Sequence, residues 1–312
     1  MPRDLSSAAH PLRLRRLVPR VVDGLRQIAG RLRRYGDQLG EISASVTGVL
    51  RGLTALPDPP PADAVRIIWL SDVHNNPVAF AVARALVEQY PGAVVIDTGD
   101  IGDWGRSLEA RMYAGIAQIP APYLFVKGNH DGPRTLAALA ELPNVTILGR
   151  GATYRHAGLT IAGDADPRFT PDKSTGDDHF GRDRLARIGR ALAVTLAPLG
   201  PDIALTHDPV VAAQLGGVAP LVLCGHTHKR HAQALEGTLI LTQGSSGGAG
   251  LRGVRQNPPM PLEISVLHID SATKRLHSVD ELTVGGLGLT EVSLVRRAAR
   301  ELGRPRASPE KA

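Results

Sequence analysis

From residue 65 onward, short apolar runs alternate with longer amphipathic segments. The runs are bounded by turn residues and are typical of strands buried on both faces. The segments between them have helical spacing, and Asn76-Pro77 is a favourable helix start for the first. We predict helices at Val78–Tyr90, Thr135–Leu142 and Arg182–Leu196. We predict strands at Val65–Leu70, Ala93–Ile96, Tyr123–Val126, Leu159–Ala162, Ile203–Leu205, Leu221–Leu223 and Leu239–Leu241. This alternation predicts an α/β layered fold.

Residues 14–49 follow a different pattern, with apolar residues at alternating steps of four and three. This period places an apolar stripe along one side of a helix, with most of the arginines off the stripe. Pro19 and five glycines weaken that helix, so it needs a surface to lie on. Three surfaces are open: a second copy of itself, an anionic membrane surface, or the rest of this protein.

We therefore divide the chain into four parts. Residues 1–56 form a basic, amphipathic helical extension, and the proline-rich residues 57–63 form a stiff linker. Residues 64–285 form the main domain. Residues 286–312 form a partly disordered tail, with one helix at Glu291–Leu302.

The composition and charge narrow the class of protein. The net charge of +6 is concentrated at the ends, because residues 1–60 contain ten arginines and only five acidic residues. Residues 291–312 contain six basic and three acidic residues, so residues 61–290 carry −2 by subtraction. We therefore do not expect a nucleic-acid partner. The single cysteine, Cys224, excludes both a disulfide framework and a tetrathiolate zinc site. We see no apolar run long enough to span a bilayer and no secretory signal, so we expect a cytoplasmic protein, with a peripheral membrane position left open.

Five of the predicted strands lead directly into Asp, Asn or His residues. Because the carboxyl ends of strands in open α/β sheets form the ligand crevice, these side chains can converge. Two i, i+2 pairs, Asp72/His74 and His226/His228, share a side wherever the backbone is extended. The candidates are Asp72, His74, Asp100, Asn129, His207, His226 and His228.

This set of oxygen and imidazole ligands suits Mn, Fe, Zn, Ni or Co, and does not select among them. Its size exceeds what one tetrahedral ion uses and fits two adjacent divalent ions. Two ions roughly 3.5–4 Å apart can generate hydroxide at neutral pH and hold a phosphoryl group. His130, beside the cluster, is a natural proton donor to a leaving group.

The motifs Asp72-x-His74, Gly99-Asp100, Gly128-Asn129-His130-Asp131, His207 and Gly225-His226-x-His228 resemble the calcineurin-like metallophosphoesterase superfamily. The resemblance covers about residues 65–250. It implies a four-layer α/β/β/α sandwich with a dinuclear metal site, and a metal-bridging hydroxide as nucleophile. It also implies that Asp72, His74, Asp100 and His228 hold one ion, and that Asp100, Asn129, His207 and His226 hold the other, with Asp100 bridging. His130 then assists the leaving group, and Asp131 orients His130.

One residue departs from the family pattern. Asn75 follows His74 where many members have glycine, and its side chain can crowd or contact the substrate phosphate. We retain Asn75 as a substrate-binding candidate. Asn76 is better explained as a helix cap.

Two further segments contain residues that could take part in chemistry. The stretch Gly244–Gly248 fits the Gly-x-Ser-x-Gly pattern of a serine hydrolase, but Ala249–Pro261 is too rich in Gly and Pro to open the required helix. We expect this loop to line the site instead. Arg168, in a polar loop, is a candidate phosphate contact because guanidinium matches phosphate bidentately.

The sequence thus predicts a dinuclear, metal-dependent phosphoesterase. We favour a phosphodiester over a phosphomonoester, because the Gly-Asn-His-Asp element resembles small bacterial phosphodiesterases. The alternative is a non-catalytic scaffold of the same fold that assembles through residues 14–49. The complete ligand set and His130 count against that alternative.

Overall fold

Residues 58–171, 180–250, 260–285 and 291–303, together with Gly48, are described by a computed structural model of the chain. Two mixed β-sheets dominate these residues.

The first sheet has seven strands in the order β13-β12-β11-β1-β2-β3-β4. Strands β1 to β4 are parallel, and β11, β12 and β13 extend the sheet antiparallel from the other side of β1. The strands are β1 (Val65–Leu70), β2 (Val94–Asp97), β3 (Tyr123–Val126), β4 (Val145–Leu148), β11 (Leu262–Ile269), β12 (Leu276–Val284) and β13 (Val292–Ala298).

The second sheet has six strands in the order β5-β6-β7-β8-β10-β9, with parallel pairing from β6 to β10 and antiparallel strands at both edges. The strands are β5 (Thr153–His156), β6 (Leu159–Gly163), β7 (Ile203–Leu205), β8 (Leu221–Cys224), β9 (His231–Leu235) and β10 (Thr238–Thr242).

Helices cover the outer faces of both sheets. Helix α1 (Val78–Gln89) packs on β1 and β11, and α2 (Pro133–Ala140) packs on β4 and on the 3₁₀ helix Ser107–Gln118. Helix α3 (Arg182–Leu196) and the short α4 (Pro209–Ala212) share an apolar cluster with β7 and β8 on the second sheet. Short 3₁₀ turns occupy Ala197–Leu199, Ala213–Leu215 and Ala299–Glu301.

An apolar cluster of the described residues lies between the two sheets. Trp69 and Leu124 from the first sheet meet Leu205 and Leu223 from the second, and all four are buried. Each central strand is apolar on both faces, so one face packs against the other sheet and the opposite face packs against helices. The result is four layers: helix, sheet, sheet and helix. The predicted α/β/β/α sandwich is confirmed.

All seven predicted strands are present within a residue or two of their predicted bounds, and they are the parallel strands next to the core. The three predicted helices are present as α1, α2 and α3. Asn76 acts at the start of α1 as expected, because its Oδ1 accepts a hydrogen bond of 3.1 Å from the Val78 backbone N–H.

The predicted helix at Glu291–Leu302 is wrong. Val292–Ala298 is strand β13, which pairs antiparallel with β12 along its whole length. The sheet therefore continues past residue 285, where the sequence placed the end of the domain. The edge strand is only half buried, and adjacent charged residues such as Arg296 and Arg297 hide its alternation from a sequence-based interpretation.

Several predictions lie outside the described residues. They concern the extension 1–56, apart from Gly48, its assembly or membrane contact through residues 14–49, and the tail beyond residue 303. In the described part of the chain, no helix combines the length and apolar character needed to cross a membrane.

Candidate metal centre

The predicted ligands meet at the carboxyl ends of β1, β2, β3, β7 and β8, where five loops converge from the two sheets. Each ligand directly follows a buried strand, so the core fixes the position from which its loop begins. The side chains form two groups, one around Asp72 and one around Asp100.

The first group contains Asp72, His74 and His228. His228 Nε2 lies 3.2 Å from Asp72 Oδ1 and 3.0 Å from His74 Nε2. Asp72 and His74 are buried, and His228 is partly exposed. Three ligand atoms thus face one small volume.

The second group contains Asp100, His207 and His226, with Asn129 beside them. His207 Nε2 lies 3.2 Å from Asp100 Oδ2 and 3.1 Å from Asn129 Oδ1. Asn129 Nδ2 donates to Thr170 Oγ1 at 2.6 Å, so the amide oxygen is the atom that faces His207. The structure groups Asp100 with the second set, and its bridging position between two ions stays a prediction.

The hydrogen-bond pattern of these side chains fits divalent cations. His74 Nδ1 lies 3.0 Å from Asp103 Oδ1, and His207 Nδ1 lies 2.7 Å from the Thr98 carbonyl oxygen. If each Nδ1 carries the proton, each Nε2 presents a lone pair to the cluster. Asp72 Oδ1 is buried without a hydrogen bond, an arrangement that is costly unless a cation or water satisfies it. These lone pairs are the donor set that Mn, Fe, Zn, Ni or Co accepts.

The electrostatics of Asp100 point in the same direction. Burial raises the pKa of this carboxyl, but the neighbouring imidazoles, above all His207, outweigh it and hold the pKa well below its usual value. Asp100 is therefore an anion at neutral pH.

Left-handed backbone, not extended backbone, brings the paired ligands to one side. We expected Asp72/His74 and His226/His228 to share a side through extended alternation, but their φ values are 55°, 48°, 73° and 56°. Strained loops of this kind persist where the surroundings determine them strongly. Here the Asp72 and His74 backbone N–H groups donate to the carbonyl oxygens of Gly99 and Asp100. The extended backbone that we expected at these two pairs is therefore wrong.

Three glycines permit the close approach of these loops. A Cβ on Gly99 would overlap the Gly128 backbone, and a Cβ on Gly128 would overlap Asp100. A Cβ on Gly225 would overlap Ser71 and Asp72. No larger residue fits at these positions without moving a ligand.

Asp131 has a different role from the one expected. Its two carboxylate oxygens accept hydrogen bonds from the backbone N–H groups of Asp100, Ile101, Gly102 and Gly128, at 2.8 to 3.3 Å. Its carboxylate therefore fastens the Asp100 loop to the Asn129 loop. The expectation that Asp131 orients His130 is wrong in this structure.

His130 is oriented by Asp103 instead. Its Nδ1 lies 2.8 Å from the Asp103 carbonyl oxygen, and its backbone N–H donates to Asp100 Oδ1 at 2.8 Å. Its ring stands edge-to-face with the His74 ring, with centroids 5.4 Å apart. His130 is therefore at the edge of the cluster, and Asp103 serves both His74, through its carboxylate, and His130, through its carbonyl.

Glu109 holds the segment that carries Asp103. Its carboxylate accepts hydrogen bonds from the backbone N–H groups of Asp103, Trp104 and Arg106, at 2.9 to 3.3 Å. It also accepts from Asn75 Nδ2 at 2.6 Å. The Asn75 amide is thereby turned toward Glu109, while its Oδ1 is buried without a hydrogen bond. A phosphate contact by Asn75 stays a prediction.

The glycine-rich loop after β10 supports the Asp72 loop from behind. Ser245 Oγ donates to the Asp72 carbonyl oxygen at 2.7 Å, and the Ser246 backbone N–H donates to the Ser71 carbonyl oxygen at 2.8 Å. Ser71 Oγ and the His226 backbone N–H then hold Asp72 Oδ2, at 2.6 and 2.9 Å. The serines thus position a ligand loop. Ser246, the serine of the Gly-x-Ser-x-Gly pattern, donates from Oγ to the Glu263 carbonyl oxygen at 2.8 Å and is not placed as a nucleophile.

Arg168 is engaged by carboxylates. Its guanidinium binds Asp166 bidentately and also contacts Asp208 Oδ2 at 2.6 Å. Asp208 also lies 3.6 Å from His226 Nε2, so Arg168 acts next to the second ligand group. Its role as a phosphate contact stays a prediction.

Four supporting residues escaped the sequence interpretation: Asp103, Glu109, Asp208 and Thr98. Asp103 and Asp208 had a signal, because each lies within three residues of a predicted ligand and carries a carboxylate. Thr98 acts through its carbonyl, which no side-chain pattern reveals. Glu109 acts from a helix that follows an irregular loop.

Comparison with known proteins identifies the family. A sequence profile described as the calcineurin-like phosphoesterase superfamily domain matches residues 65–271. The chain therefore belongs to the calcineurin-like phosphoesterase superfamily.

The solved structures that this chain resembles are distant. An archaeal phosphodiesterase is 14% identical over 70% of this chain and 100% of its own length, with a TM-score of 0.42. A single mutant of Vps29 from Entamoeba histolytica is 16% identical over 75% of this chain and 99% of its own, with a TM-score of 0.40. A putative 5′-nucleotidase from Staphylococcus aureus is 14% identical over 69% of this chain and 52% of its own, with a TM-score of 0.41. No curated protein sequence matches the chain.

Proposed function

We propose that this protein is a metal-dependent phosphoester hydrolase that uses two divalent ions, with a phosphodiester as the favoured substrate. The observation that carries the proposal is the pair of ligand groups, in which hydrogen bonds to Asp103 and Thr98 leave the Nε2 atoms of His74 and His207 facing carboxylate oxygens. Membership of the superfamily supports the same reaction class.

Asp72, His74 and His228 would hold one ion, and His207, His226 and Asn129 would hold the other, with Asp100 shared between them. Divalent ions bound there would supply Lewis acidity, which activates water and stabilises charge on the phosphoryl group. The chain's own residues fix the ligands, because Asp131, Asp103 and the serine loop hold the ligand-bearing segments.

His130 would donate a proton to the leaving group. The Asp103 carbonyl oxygen, 2.8 Å from Nδ1, fixes the orientation of the ring. Nε2 is then the atom that donates. His130 is partly exposed at the edge of the ligand cluster, so a leaving group can reach it.

The preference for a diester rests on the resemblance of the Gly128-Asn129-His130-Asp131 element to small bacterial phosphodiesterases. The first experiment compares bis(p-nitrophenyl) phosphate with p-nitrophenyl phosphate, each with Mn²⁺ and with EDTA. We expect metal-dependent hydrolysis that is lost in Asp100→Ala and retained in Asp183→Ala, a matched change of an exposed carboxylate. The ratio of the two rates weighs diester against monoester.

The role of His130 is tested with a second leaving group. General acid catalysis is worth about 10²–10⁴ in rate, and it matters most when the leaving group is poor. His130→Ala should therefore slow a diester with an alkyl leaving group far more than one with p-nitrophenolate. His231→Ala, which changes an exposed histidine on edge strand β9, is the control. Absence of hydrolysis with every metal tested would overturn the enzymatic proposal and favour the scaffold.

A further inference from the structure

Two large apolar side chains are exposed beside the candidate metal centre. Trp104 is 45% exposed and Leu108 is 78% exposed. Both follow Asp103, whose carbonyl oxygen orients His130. Exposed apolar residues that cluster at a functional site point to an interaction surface, whereas isolated ones need no explanation.

Backbone contact places basic residues next to Trp104. Gly105 and Gly132 approach so closely that a Cβ on Gly105 would lie 2.9 Å from the Gly132 backbone nitrogen. Arg106 and Arg134 lie one and two residues along the chain from this contact, and both are exposed. The Arg106 guanidinium carbon also lies 5.6 Å from the centre of the Trp104 ring. The segment is thus both apolar and cationic.

The 3₁₀ helix Ser107–Gln118 adds a further arginine to this segment. Residues three apart eclipse one another in a 3₁₀ helix, so Arg111 lies beside Leu108, and Arg111 is exposed. Glu109, the acidic residue within this segment, is turned inward, because its carboxylate accepts three backbone hydrogen bonds. In the described part of this segment, residues 104–111, no other acidic side chain offsets the arginines.

We propose that this patch, formed by Trp104, Arg106, Leu108, Arg111 and Arg134, binds the surface of an anionic lipid bilayer. Indole rings and aliphatic side chains enter the interfacial region, while the arginines pair with lipid phosphates. The patch adjoins His130, so binding would turn the mouth of the metal centre toward the membrane. The proposal does not depend on the chemistry that the centre performs.

A nucleic-acid strand is the competing partner, because Trp and Arg also stack on bases. Leu108 favours the bilayer, since an aliphatic side chain exposed to this extent offers no stacking face.

The two tryptophans of the chain make the test specific. Trp69 is 2% exposed in the core, so a change in emission on binding reports on Trp104. The full chain is mixed at low salt with vesicles of phosphatidylcholine alone or with phosphatidylglycerol added. We expect a blue shift, and quenching by brominated lipid, with the anionic vesicles only. Both effects should be absent in Trp104→Phe.

Leu108→Ser should weaken vesicle binding by about fivefold to tenfold, from the apolar area it removes from the interface. Val194→Ser is the matched control, because Val194 is 76% exposed on α3 over the other sheet. Its binding should equal that of the wild type.

Sedimentation with vesicles without a change in Trp104 emission would overturn the proposal, because another segment would then be responsible. A response to a single-stranded oligonucleotide but not to vesicles would overturn it in favour of nucleic acid.

Discussion

Asp131→Asn tests whether the carboxylate of Asp131 holds the ligand loops together. Asp131 is fully buried, and each of its oxygens accepts two backbone hydrogen bonds. Asparagine has a single oxygen, so in either orientation two N–H groups would face its NH₂ group. Each lost hydrogen bond to a buried charge costs about 1.5–3 kcal/mol. We therefore expect the free energy of unfolding to fall by about 3–6 kcal/mol.

Denaturant unfolding of the metal-free protein measures this loss directly. Asp183→Asn, an exposed change of the same kind, should leave the unfolding midpoint unchanged. Because Asp131 positions the loops of Asp100 and Asn129, metal affinity should also fall by about 10–100-fold, measured by calorimetric titration with Mn²⁺.

The opposite pattern would refute this reasoning. If Asp131 acted by orienting His130, Asp131→Asn would keep its stability and its metal affinity. It would instead slow only the hydrolysis of esters with poor leaving groups, as His130→Ala should. The two interpretations therefore predict different outcomes for stability, for metal affinity and for the dependence of hydrolysis on the leaving group.

Three further predictions follow from buried groups. Burial raises the pKa of Asp97 to about 7, although Tyr123 donates a hydrogen bond to it; the metal-free protein should therefore lose up to about 4 kcal/mol of stability as pH rises from about 4 to about 7. Asp97→Asn should lose less stability than the wild type between pH 5 and pH 8 in denaturant unfolding, and an equal loss would contradict this role. A Cβ on Gly247 would overlap the Val73 carbonyl oxygen. Gly247→Ala should therefore destabilise the protein by about 1–3 kcal/mol and lower its metal content, and unchanged thermal unfolding would contradict the overlap. Burial raises the pKa of Cys224 to about 12, so iodoacetamide should label this thiol at pH 8 only after denaturation. Rapid labelling of the native protein would show that strand β8 opens.

The central fold could be predicted because its strands are uniformly apolar. Val65–Leu70 and Tyr123–Val126 are buried on both faces, so the sequence marks them without help from their surroundings. Strands such as β9 and β13 lie at sheet edges and carry polar or charged side chains. Their pairing depends on neighbours that are distant in the sequence, and a local pattern cannot reveal it.

The ligand positions could be predicted because they directly follow strands of the core. Their geometry could not, because positive φ values at residues such as Asp72 and His228 are imposed by contacts with other loops. The groups that hold the ligand loops in place could not be predicted either. A backbone carbonyl such as that of Thr98, or a carboxylate that binds only backbone such as Asp131, leaves no signature in the side-chain pattern.

The order of strands in the first sheet has a consequence for synthesis of the chain. Strand β1 lies in the middle of the sheet, between β2, which follows it closely, and β11, which begins only at Leu262. A ribosome will therefore have translated every candidate ligand, up to His228, before one side of β1 can find its partner. Until then β1 is an open edge with unpaired backbone groups, the kind of edge that recruits other chains. Premature termination before β11 should produce aggregation, not a smaller working domain.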